Sequence, residues 1–512
     1  MYYYNRRRIM GIPEEIRKIE RPKNTVVYRI KDGVYGVRGR NGVRYSRNGN
    51  PSPINGKVVG HIENGRFVAL ANEMTRKPLF LSYGSSALVK DCSDGIYDDL
   101  LAIFPVEVAR PLMAVASLRV IKPAVKCSRL SSEYERTFVS VYYPGCHLSR
   151  NTVGSLLEKV GMDSEKRERF YVARMKRIPE NHHVAIDGTL RQDCSSVNSL
   201  SGFSYKSRVK GTKDVSVIYA YDIETMEPVC STVFPGNSID ASSYHRFVTE
   251  NAISRGIIVS DKGFPISAIA DVLEKNPELH FLTPIRRNDT RIKKNDMLSF
   301  RETVSSVEGD VLARKEKLSE KRYLYSFLDV STMGKEAHDF VRRSKKEGSF
   351  DAESFERKKE SFGTITLESD LDMTCREAYL CYAERWKIEL VFRAYKNDEG
   401  LRKTNVQKDY SVIGMEFVNF LSTIITTRIL ERMHRTDLLR RQSYGDVMED
   451  LTNLWRKADA GTERPSCTDG KWVNSLSSDL EEMRILGLVR EEPDKPKRGR
   501  GRPRKKTAGT KA

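Results

Sequence analysis

The stretch 379–396 restricts the fold more than any other part of this 512-residue sequence. It reads YLCYAERWKIELVFRAYK, and most of its positions are apolar. In an α-helix, at about 100° per residue, five of its polar side chains fall within one wedge: Tyr382, Arg385, Glu389, Arg393 and Lys396. A helix that is apolar on most sides is buried, and a buried charged stripe is costly unless it meets a partner, a metal or a ligand. A ladder of ion pairs within the helix is the simpler alternative.

The charge balance indicates a polyanionic partner. The chain has 88 Lys and Arg against 69 Asp and Glu, a net charge of +19 at pH 7, and double-stranded DNA is the first candidate. Residues 417–430 are the longest apolar stretch. Polar residues interrupt it and it is too short to span a bilayer, so we expect a buried core helix and no membrane association.

Three features of the sequence indicate the cellular compartment of the protein and the cofactors that it uses. The basic start MYYYNRRR has no apolar segment behind it, so we expect no signal peptide. The eight cysteines form no CxxC pair, which predicts reduced thiols in a cytoplasmic, nucleoid-associated protein. No GxxxxGK[ST] sequence occurs, so we expect no nucleotide cofactor.

Two short apolar runs each end in an aspartate with a glycine close behind. Residues 184–186 lead to Asp187, and residues 256–260 lead to Asp261. An aspartate at a strand end is more often a turn former than a metal ligand. Two such acids, together with Glu389 on a buried helix, favour a catalytic site. Three other aspartates are weaker candidates for the same role: Asp193, Asp222 and Asp240.

The apolar runs around these acids also predict an order of elements. Strands are predicted at 184–187, 215–221, 229–234, 256–260 and 280–285, with helices at 241–254 and 265–274. This βββαβαβ order, with acids at strand ends, describes an α/β, RNase H-like catalytic core with a mixed five-stranded sheet and helices.

The polar stripe of 379–396 resembles a known signature. Its spacing of Tyr382, Arg385, Glu389 and Lys396 is that of the YREK motif of cut-and-paste insertion-sequence transposases, the DDE group. The DG after the first run and the DKGF after the second resemble the sequences around that family's two aspartates. The resemblance implies that Asp187, Asp261 and Glu389 hold two Mg²⁺ ions, with Mn²⁺ as a substitute. Carboxylates are suitable ligands for such ions.

The resemblance also implies an activity. The chain would bind the terminal repeats of its element, cleave DNA strands at the ends and join the 3′-OH ends to target DNA. Tyr382, Arg385 and Lys396 would hold phosphates of the terminal nucleotides, and the protein would act as a homodimer on paired DNA ends. Two alternatives stay open: an RNase H-like nuclease or resolvase without strand transfer, and a catalytically inactive DNA-binding regulator derived from a transposase.

Before this core, the sequence predicts a β-rich start. Asp32-Gly33 and Asn41-Gly42 are hairpin signals between short β-prone runs. The basic residues around these turns are either solvated or part of a DNA-contacting face: Arg38, Arg40, Arg44 and Arg47. The resemblance suggests that this N-terminal region recognises the terminal repeats.

The charged segment 291–362 interrupts the core where the family carries an insertion that grips DNA. In relatives that form a hairpin, a tryptophan of the insertion clamps a flipped base. The three tryptophans here, at 386, 455 and 472, lie outside the segment. Either this protein forms no hairpin, or the stacking role passes to Tyr323, Tyr325 or Phe327.

The C-terminal end is strongly basic. Residues 495–506 read KPKRGRGRPRKK and lack apolar side chains, so we expect disorder in isolation. Arg500-Gly501-Arg502-Pro503 is the core of an AT-hook, in which Arg500 and Arg502 lie along the minor groove of A·T tracts. A generic basic arm is the alternative.

Together these features predict an ordered set of regions. They are a DNA-end-binding region at 1–178, core segments at 179–290 and 363–440 around the insertion at 291–362, a helical region at 441–490, and the basic tail at 491–512.

Overall fold

The computed structural model describes residues 11–490, with gaps at 32, 47, 70–79, 124, 194, 196, 205–206, 208, 238–240, 261–263, 265, 305–309, 386–402, 405 and 459–463. The chain divides into two compact units, Met1–Leu79 and Phe80–Ala512. The region 1–178, predicted as one unit, is therefore split after Leu79. Asp261, Glu389, Lys396, Asp240 and the tail with Arg500 and Arg502 lie outside the described residues.

The first unit is an antiparallel sheet of four strands in sequence order. Its elements are α1 (Glu14–Lys18), β1 (Thr25–Lys31), β2 (Val34–Tyr45), β3 (Pro51–Glu63) and β4 (Arg66–Ala69). Its small core consists of Val27, Tyr35, Val37 and Ile62.

The predicted turn at Asn41-Gly42 is wrong, since both residues lie inside β2. The pairing of β2 with β3 shifts register between Arg40 and Gly42, and Gly42 has a φ of 144°. A glycine that marks a bulge accommodates such a shift without ending the strand. The turn lies at residues 46–50, where the Ser46 amide donates to the Asn50 carbonyl at 2.9 Å.

The second unit begins with a short strand and a group of helices. They are β5 (Phe80–Ser82), α2 (Gly84–Cys92), α3 (Ile96–Leu101), α4 (Val106–Ile121), α5 (Leu130–Arg136), α6 (Val139–Tyr142), α7 (Arg150–Met162) and α8 (Ser164–Met175). Their apolar side chains share one hydrophobic core with the strands that follow. This common core explains why these helices belong to the second unit.

A large mixed sheet occupies the middle of the second unit. Its strands are β6 (His183–Asp193), β7 (Gly202–Phe203), β8 (Lys213–Asp222), β9 (Pro228–Pro235), β10 (Gly256–Ser260), β11 (Leu279–Pro284), β12 (Glu302–Thr303), β13 (Val311–Ser319), β14 (Arg322–Asp329), β15 (Thr364–Ser369) and β16 (Lys403–Thr404). The order is β12-β13-β14-β15-β11-β10-β6-β8-β7, with β16 on β6 and β9 on β8. β10 is parallel to both β6 and β11. This mixed α/β architecture confirms the predicted class in its coarse form.

Helices connect these strands. They are α9 (Ala241–Glu250), α10 (Ala270–Lys275), α11 (Thr290–Lys294), α12 (Val330–Glu347), α13 (Ala352–Lys359) and α14 (Cys375–Ala383).

The segment 291–362 extends the large sheet, because β14 pairs with β15 and β15 pairs with β11. Tyr323, Tyr325 and Phe327 lie on β14 and are at most 5% exposed. Their predicted role as base-stacking residues is therefore wrong, because their rings pack inside the core.

A long buried helix, α15 (Asp409–Arg435), crosses the core of the second unit. By length and composition it could span a membrane, but 89% of its most apolar window is buried inside the protein. The predicted core helix at 417–430 is thus confirmed. The remaining elements are α16 (Tyr444–Asn453), β17 (Trp455–Lys457), β18 (Trp472–Val473) and α17 (Ser477–Ile485), and β17 joins β5 to β18 in a small sheet.

Candidate active site

The sequence predicted Asp187 at the end of a strand. In the structure it lies in the middle of β6. Gly188 does not stop the strand, which continues to Asp193 in regular antiparallel register with β8. Asp187 is half-buried and faces Tyr219 across that pair. The amide of Gly188 donates a 2.8 Å hydrogen bond to Asp187 Oδ1.

On its other edge, β6 loses its partner at this point. The parallel strand β10 ends at Ser260, which pairs with Ile186, and the next strand on that edge, β16, pairs with Gln192 and Asp193. Within the described residues, no strand covers this edge of β6 at 187–191. Among the described strands, the sheet is therefore open at Asp187, beside the carboxyl end of β10. Crevices at the carboxyl ends of parallel strands are where open α/β sheets bind ligands.

The helix that carries the polar stripe begins earlier than predicted. Thr374 and Glu377 form a reciprocal capping box that starts α14 at Cys375. The α-helix ends at Ala383, and Arg385 follows in a turn, its amide donating to the Tyr382 carbonyl at 3.1 Å. The predicted continuous helix over 379–396 is therefore wrong at residues 384–385, which form a turn. Residues 386–402 lie outside the described part of the chain.

Tyr382 and Arg385 form a pair at the end of α14. The Arg385 guanidinium lies 5.6 Å from the centre of the Tyr382 ring, and both side chains are half-buried. A guanidinium oriented over an aromatic ring keeps its planar donors in a defined direction. The pair could bind a phosphate through the ring hydroxyl and the guanidinium. The predicted partners Glu389 and Lys396 are not among the described residues.

The family comparison identifies the domain in which these residues lie. Residues 179–412 match the family model described as "Transposase DDE domain". This segment is a transposase DDE domain. The DDE domain includes the strands β6 to β16 and the first residues of α15, and it contains Asp187, Tyr382 and Arg385. No curated protein matched the sequence.

Two solved structures are similar to this chain at low identity. A piggyBac transposase synaptic complex with hairpin DNA has 12% sequence identity and a TM-score of 0.39, covering 83% of this chain and 88% of that one. A Mos1 transposase paired-end complex with left transposon end has 16% identity and a TM-score of 0.13, covering 31% and 56%. The assignment of the DDE domain rests on the family match alone.

Behind the opening, a buried ion pair holds the DDE domain to α15. Arg191 of β6 pairs with Glu416, and the two side chains are 3% and 2% exposed. Glu416 also accepts hydrogen bonds from the Tyr219 hydroxyl at 2.5 Å and from Asn419 Nδ2 at 3.0 Å. No local sequence signal marks this network, because its members are separated by up to 225 residues. It fixes both β6 and β8 close to Asp187.

At the start of β6, the DDE domain contains a cluster of histidines and carboxylates. His182 Nδ1 lies 3.0 Å from both carboxylate oxygens of Asp222. His183 donates from its backbone to Glu224 at 2.9 Å, and its Nδ1 lies 2.5 Å from the same carboxylate. His182, Asp222 and Glu224 each place a potential metal-ligand atom within 4.8 Å of the others. In this structure those atoms are already joined by hydrogen bonds.

The pKa values of this cluster follow from its pairing. Burial lowers the pKa of His183, but hydrogen bonds with the Cys381 and Glu224 side chains outweigh it and raise the value to about 10. Burial raises the pKa of Glu224, but the hydrogen bonds from His183 outweigh it and lower the value to about 2. Cys381 belongs to α14, so this helix lies close to the cluster. The tandem His182-His183 before an apolar strand was the available sequence signal.

Two of the three weaker candidates, Asp193 and Asp222, are hydrogen-bonded within the protein, and Asp240 lies outside the described residues. Asp222 belongs to the histidine cluster. Asp193 accepts hydrogen bonds from the Ser195 amide, from Asn198 Nδ2 and from Thr404 Oγ1 at 2.6–3.0 Å. These contacts close a turn and join β16 to β6, so Asp193 has a structural role.

Proposed function

We propose that the chain is a cut-and-paste transposase. It would bind the terminal repeats of its insertion sequence, cleave DNA strands at the element ends and join the 3′-OH ends to target DNA. The observation that carries this proposal is the position of Asp187, within a transposase DDE domain, at the opening beside the end of β10. A carboxylate at such a crevice can reach a bound phosphate, whereas one inside a closed sheet cannot.

The topology supports an RNase H-like core for this proposal. β6, β8 and β9 are successive antiparallel neighbours, α9 then leads to β10, and α10 leads to β11, both of them parallel to β6 in the sheet. This is the βββαβαβ order that the sequence predicts. The described residues Ile186 and Ser260 pair directly, and in the sequence each is followed by one of the two proposed catalytic aspartates, Asp187 and Asp261.

The metal proposal rests on donor chemistry. Asp187, Asp261 and Glu389 would hold Mg²⁺, and three carboxylates suit this hard cation better than the mixed nitrogen and oxygen donors of the histidine cluster. Two bound ions would supply activation of the attacking oxygen and stabilisation of charge on the leaving oxygen. Of the three acids, Asp187 lies within the described residues, and its place at the opening fits this role.

The chain's own side chains would position the DNA end. Arg385, oriented over Tyr382, would hold a phosphate through two parallel hydrogen bonds, and the Tyr382 hydroxyl would donate a third. Lys396 would add a point charge. These contacts align the scissile phosphate with the carboxylates, which is the main requirement of a reaction catalysed by positioning and charge stabilisation.

Strand transfer is the test that separates a transposase from a nuclease. The full chain is incubated with Mg²⁺, a labelled duplex carrying the element end and a plasmid target. We expect cleaved ends and labelled DNA joined to the plasmid, both absent in Asp187→Asn, Asp261→Asn and Glu389→Gln. The control Asp98→Asn removes an exposed carboxylate of α3 and should behave as wild type.

Two other outcomes would favour the alternatives. Cleavage without joined product would favour the nuclease, and binding without cleavage would favour the inactive regulator. We further propose that the active form is a homodimer on paired ends, which sedimentation of the protein with and without DNA would detect.

A further inference from the structure

The two-stranded ribbon of the first unit is a feature that the catalytic proposal leaves unused. We define it as residues 40–45 of β2 and 51–55 of β3. β1 pairs with β2 only up to Gly39, and β4 pairs with β3 only from Gly60 onward. Among the described residues, the strands of the ribbon pair with each other, and the one backbone bond to the rest of the sheet is that of the Arg40 amide to the Asn24 carbonyl at 2.8 Å. All of the ribbon's residues are exposed. At about 3.3 Å per residue it extends about 17 Å beyond the four-stranded sheet.

The ribbon carries no negative charge. Residues 33–62 contain five basic residues and no aspartate or glutamate: Arg38, Arg40, Arg44, Arg47 and Lys57. An exposed two-stranded ribbon is marginally stable in water, and its basic side chains repel one another. Binding to a polyanion would relieve both problems.

The ribbon has two different faces. Gly42 pairs with Ile54, Val43 with Pro53 and Arg44 with Ser52, and successive side chains of a strand point to opposite faces. From Gly42 onward, Arg44 therefore lies on one face and Val43 and Tyr45 on the other. The register shift between Arg40 and Gly42 places Arg40, which pairs with Asn55, on the face of Val43 and Tyr45. The last two are 52% and 69% exposed, which is a large apolar surface for solvent but a suitable one for thymine methyl groups.

We propose that this ribbon inserts into the major groove of double-stranded DNA. A major groove about 12 Å wide admits a two-stranded β-ribbon, whose strands lie about 4.8 Å apart. Arg40, on the same face as Val43 and Tyr45, would contact a guanine edge, since the guanidinium matches guanine O6 and N7. Arg44, on the other face, would contact the adjacent phosphates. This inference rests on the proposed function only in taking duplex DNA as the ligand, and it adds the element and the groove.

The first experiment asks which groove is occupied and requires no variant. A 30-bp mixed-sequence duplex is partly methylated with dimethyl sulfate, at guanine N7 in the major groove and adenine N3 in the minor groove, and then bound to the full chain. We expect the bound fraction to be depleted of molecules methylated at guanine N7. Bound DNA with no such depletion would overturn the proposal.

The second experiment assigns the effect to the ribbon. Arg40→Ala/Arg44→Ala should weaken binding to the same duplex, reduce the N7 effect and lower the slope of log K against log salt by up to about 1.8. The control Lys23→Ala/Arg66→Ala removes two exposed cations of the same unit outside the ribbon and should keep the N7 effect. Equal behaviour of the two variants would overturn the proposal. So would a changed oligomeric state with unchanged DNA binding, which would indicate a protein contact.

Failure of the catalytic proposal would be visible separately. If the ribbon proposal alone is wrong, the wild-type protein still cleaves and transfers DNA. If the catalytic proposal alone is wrong, the wild-type protein forms no transfer product, but the methylation and salt experiments still identify the ribbon.

Discussion

The two ends of the same strand, β6, contain acidic groups in contrasting surroundings. At its start, Asp222 and Glu224 are joined to His182 and His183 by hydrogen bonds. Four residues after His183, Asp187 lies where β10 ends and the sheet opens. Carboxylates that are paired by their own protein stabilise a fold, and their pKa values follow from that pairing. Asp187 also has partners in the protein, among them the Gly188 amide, but its position beside the end of β10 is one that a ligand can approach. The edge of the sheet therefore identifies the candidate catalytic acid better than the acidity of a cluster.

The largest expected effect concerns the buried ion pair between Arg191 and Glu416, which supports the opening at Asp187. Glu416→Ala would remove the carboxylate that Arg191 faces in the core and leave the guanidinium charged and buried. We expect a loss of about 3–5 kcal/mol in the free energy of unfolding, measured by urea denaturation. Glu431→Ala, at the exposed end of the same helix, is the matched control and should cost less than about 1 kcal/mol. A small effect of Glu416→Ala would mean that the network does not support the opening.

A smaller effect is expected for Arg385, which would contact the bound DNA at the opening. Arg385→Lys keeps the charge but loses the planar guanidinium, so we expect the activation free energy of strand transfer to rise by about 1–3 kcal/mol. Arg376→Lys, an exposed change on α14 before this turn, should leave the transfer rate unchanged. Normal transfer by Arg385→Lys would instead favour an ion-pair ladder within the helix.

The paired end of β6 predicts a pH dependence of stability. The raised pKa of His183, about 10 against an ordinary 6.5, means that its stabilisation is complete below pH 6.5 and is lost as the pH rises toward 10. The lowered pKa of Glu224, about 2 against 4.5, means that its stabilisation is complete above pH 4.5 and is lost as the pH falls toward 2.

Urea midpoints measured across pH 6 to 10 test the histidine part of this prediction. The stability difference between wild type and His183→Gln should shrink steadily over that range. A difference that stays constant would show that His183 is not held in its charged form by this cluster.

The basic tail should affect binding and not stability. We propose that residues 491–512 contact DNA through an AT-hook centred on Arg500 and Arg502. Truncation after Arg490 should leave the melting temperature unchanged and flatten the salt dependence of binding by about 0.9 for each phosphate that the tail neutralises in the full chain. Arg502→Ala should reduce the preference for A·T-rich over G·C-rich duplex. Equal weakening on both duplexes would indicate a generic basic arm.

The sequence predicted those elements whose signal is local. The strand expected at 256–260 is β10, and the runs at 215–221 and 229–234 lie within β8 and β9. These are continuous apolar segments of buried strands, bounded by turn residues, and their pattern needs no knowledge of distant partners.

Other parts of the site depend on distant contacts and were missed for that reason. β6 continues past Gly188 because its polar residues find partners far along the chain: Arg191 meets Glu416, and Asp193 meets Thr404. A single sequence does not reveal such pairs. The turn after Ala383 likewise follows no local glycine or proline, so helical periodicity alone predicted one continuous helix.

The most direct test compares the two ends of β6 in one assay. Asp187→Asn and Asp222→Asn each remove one charge with little change of shape, and both are assayed for Mg²⁺-dependent cleavage of the element-end duplex at equal concentrations of folded protein. We predict that Asp187→Asn has no cleavage above background and that Asp222→Asn, although less stable, cleaves at close to the wild-type rate. Cleavage by Asp187→Asn, or its loss only in Asp222→Asn, would contradict the assignment of the catalytic acid.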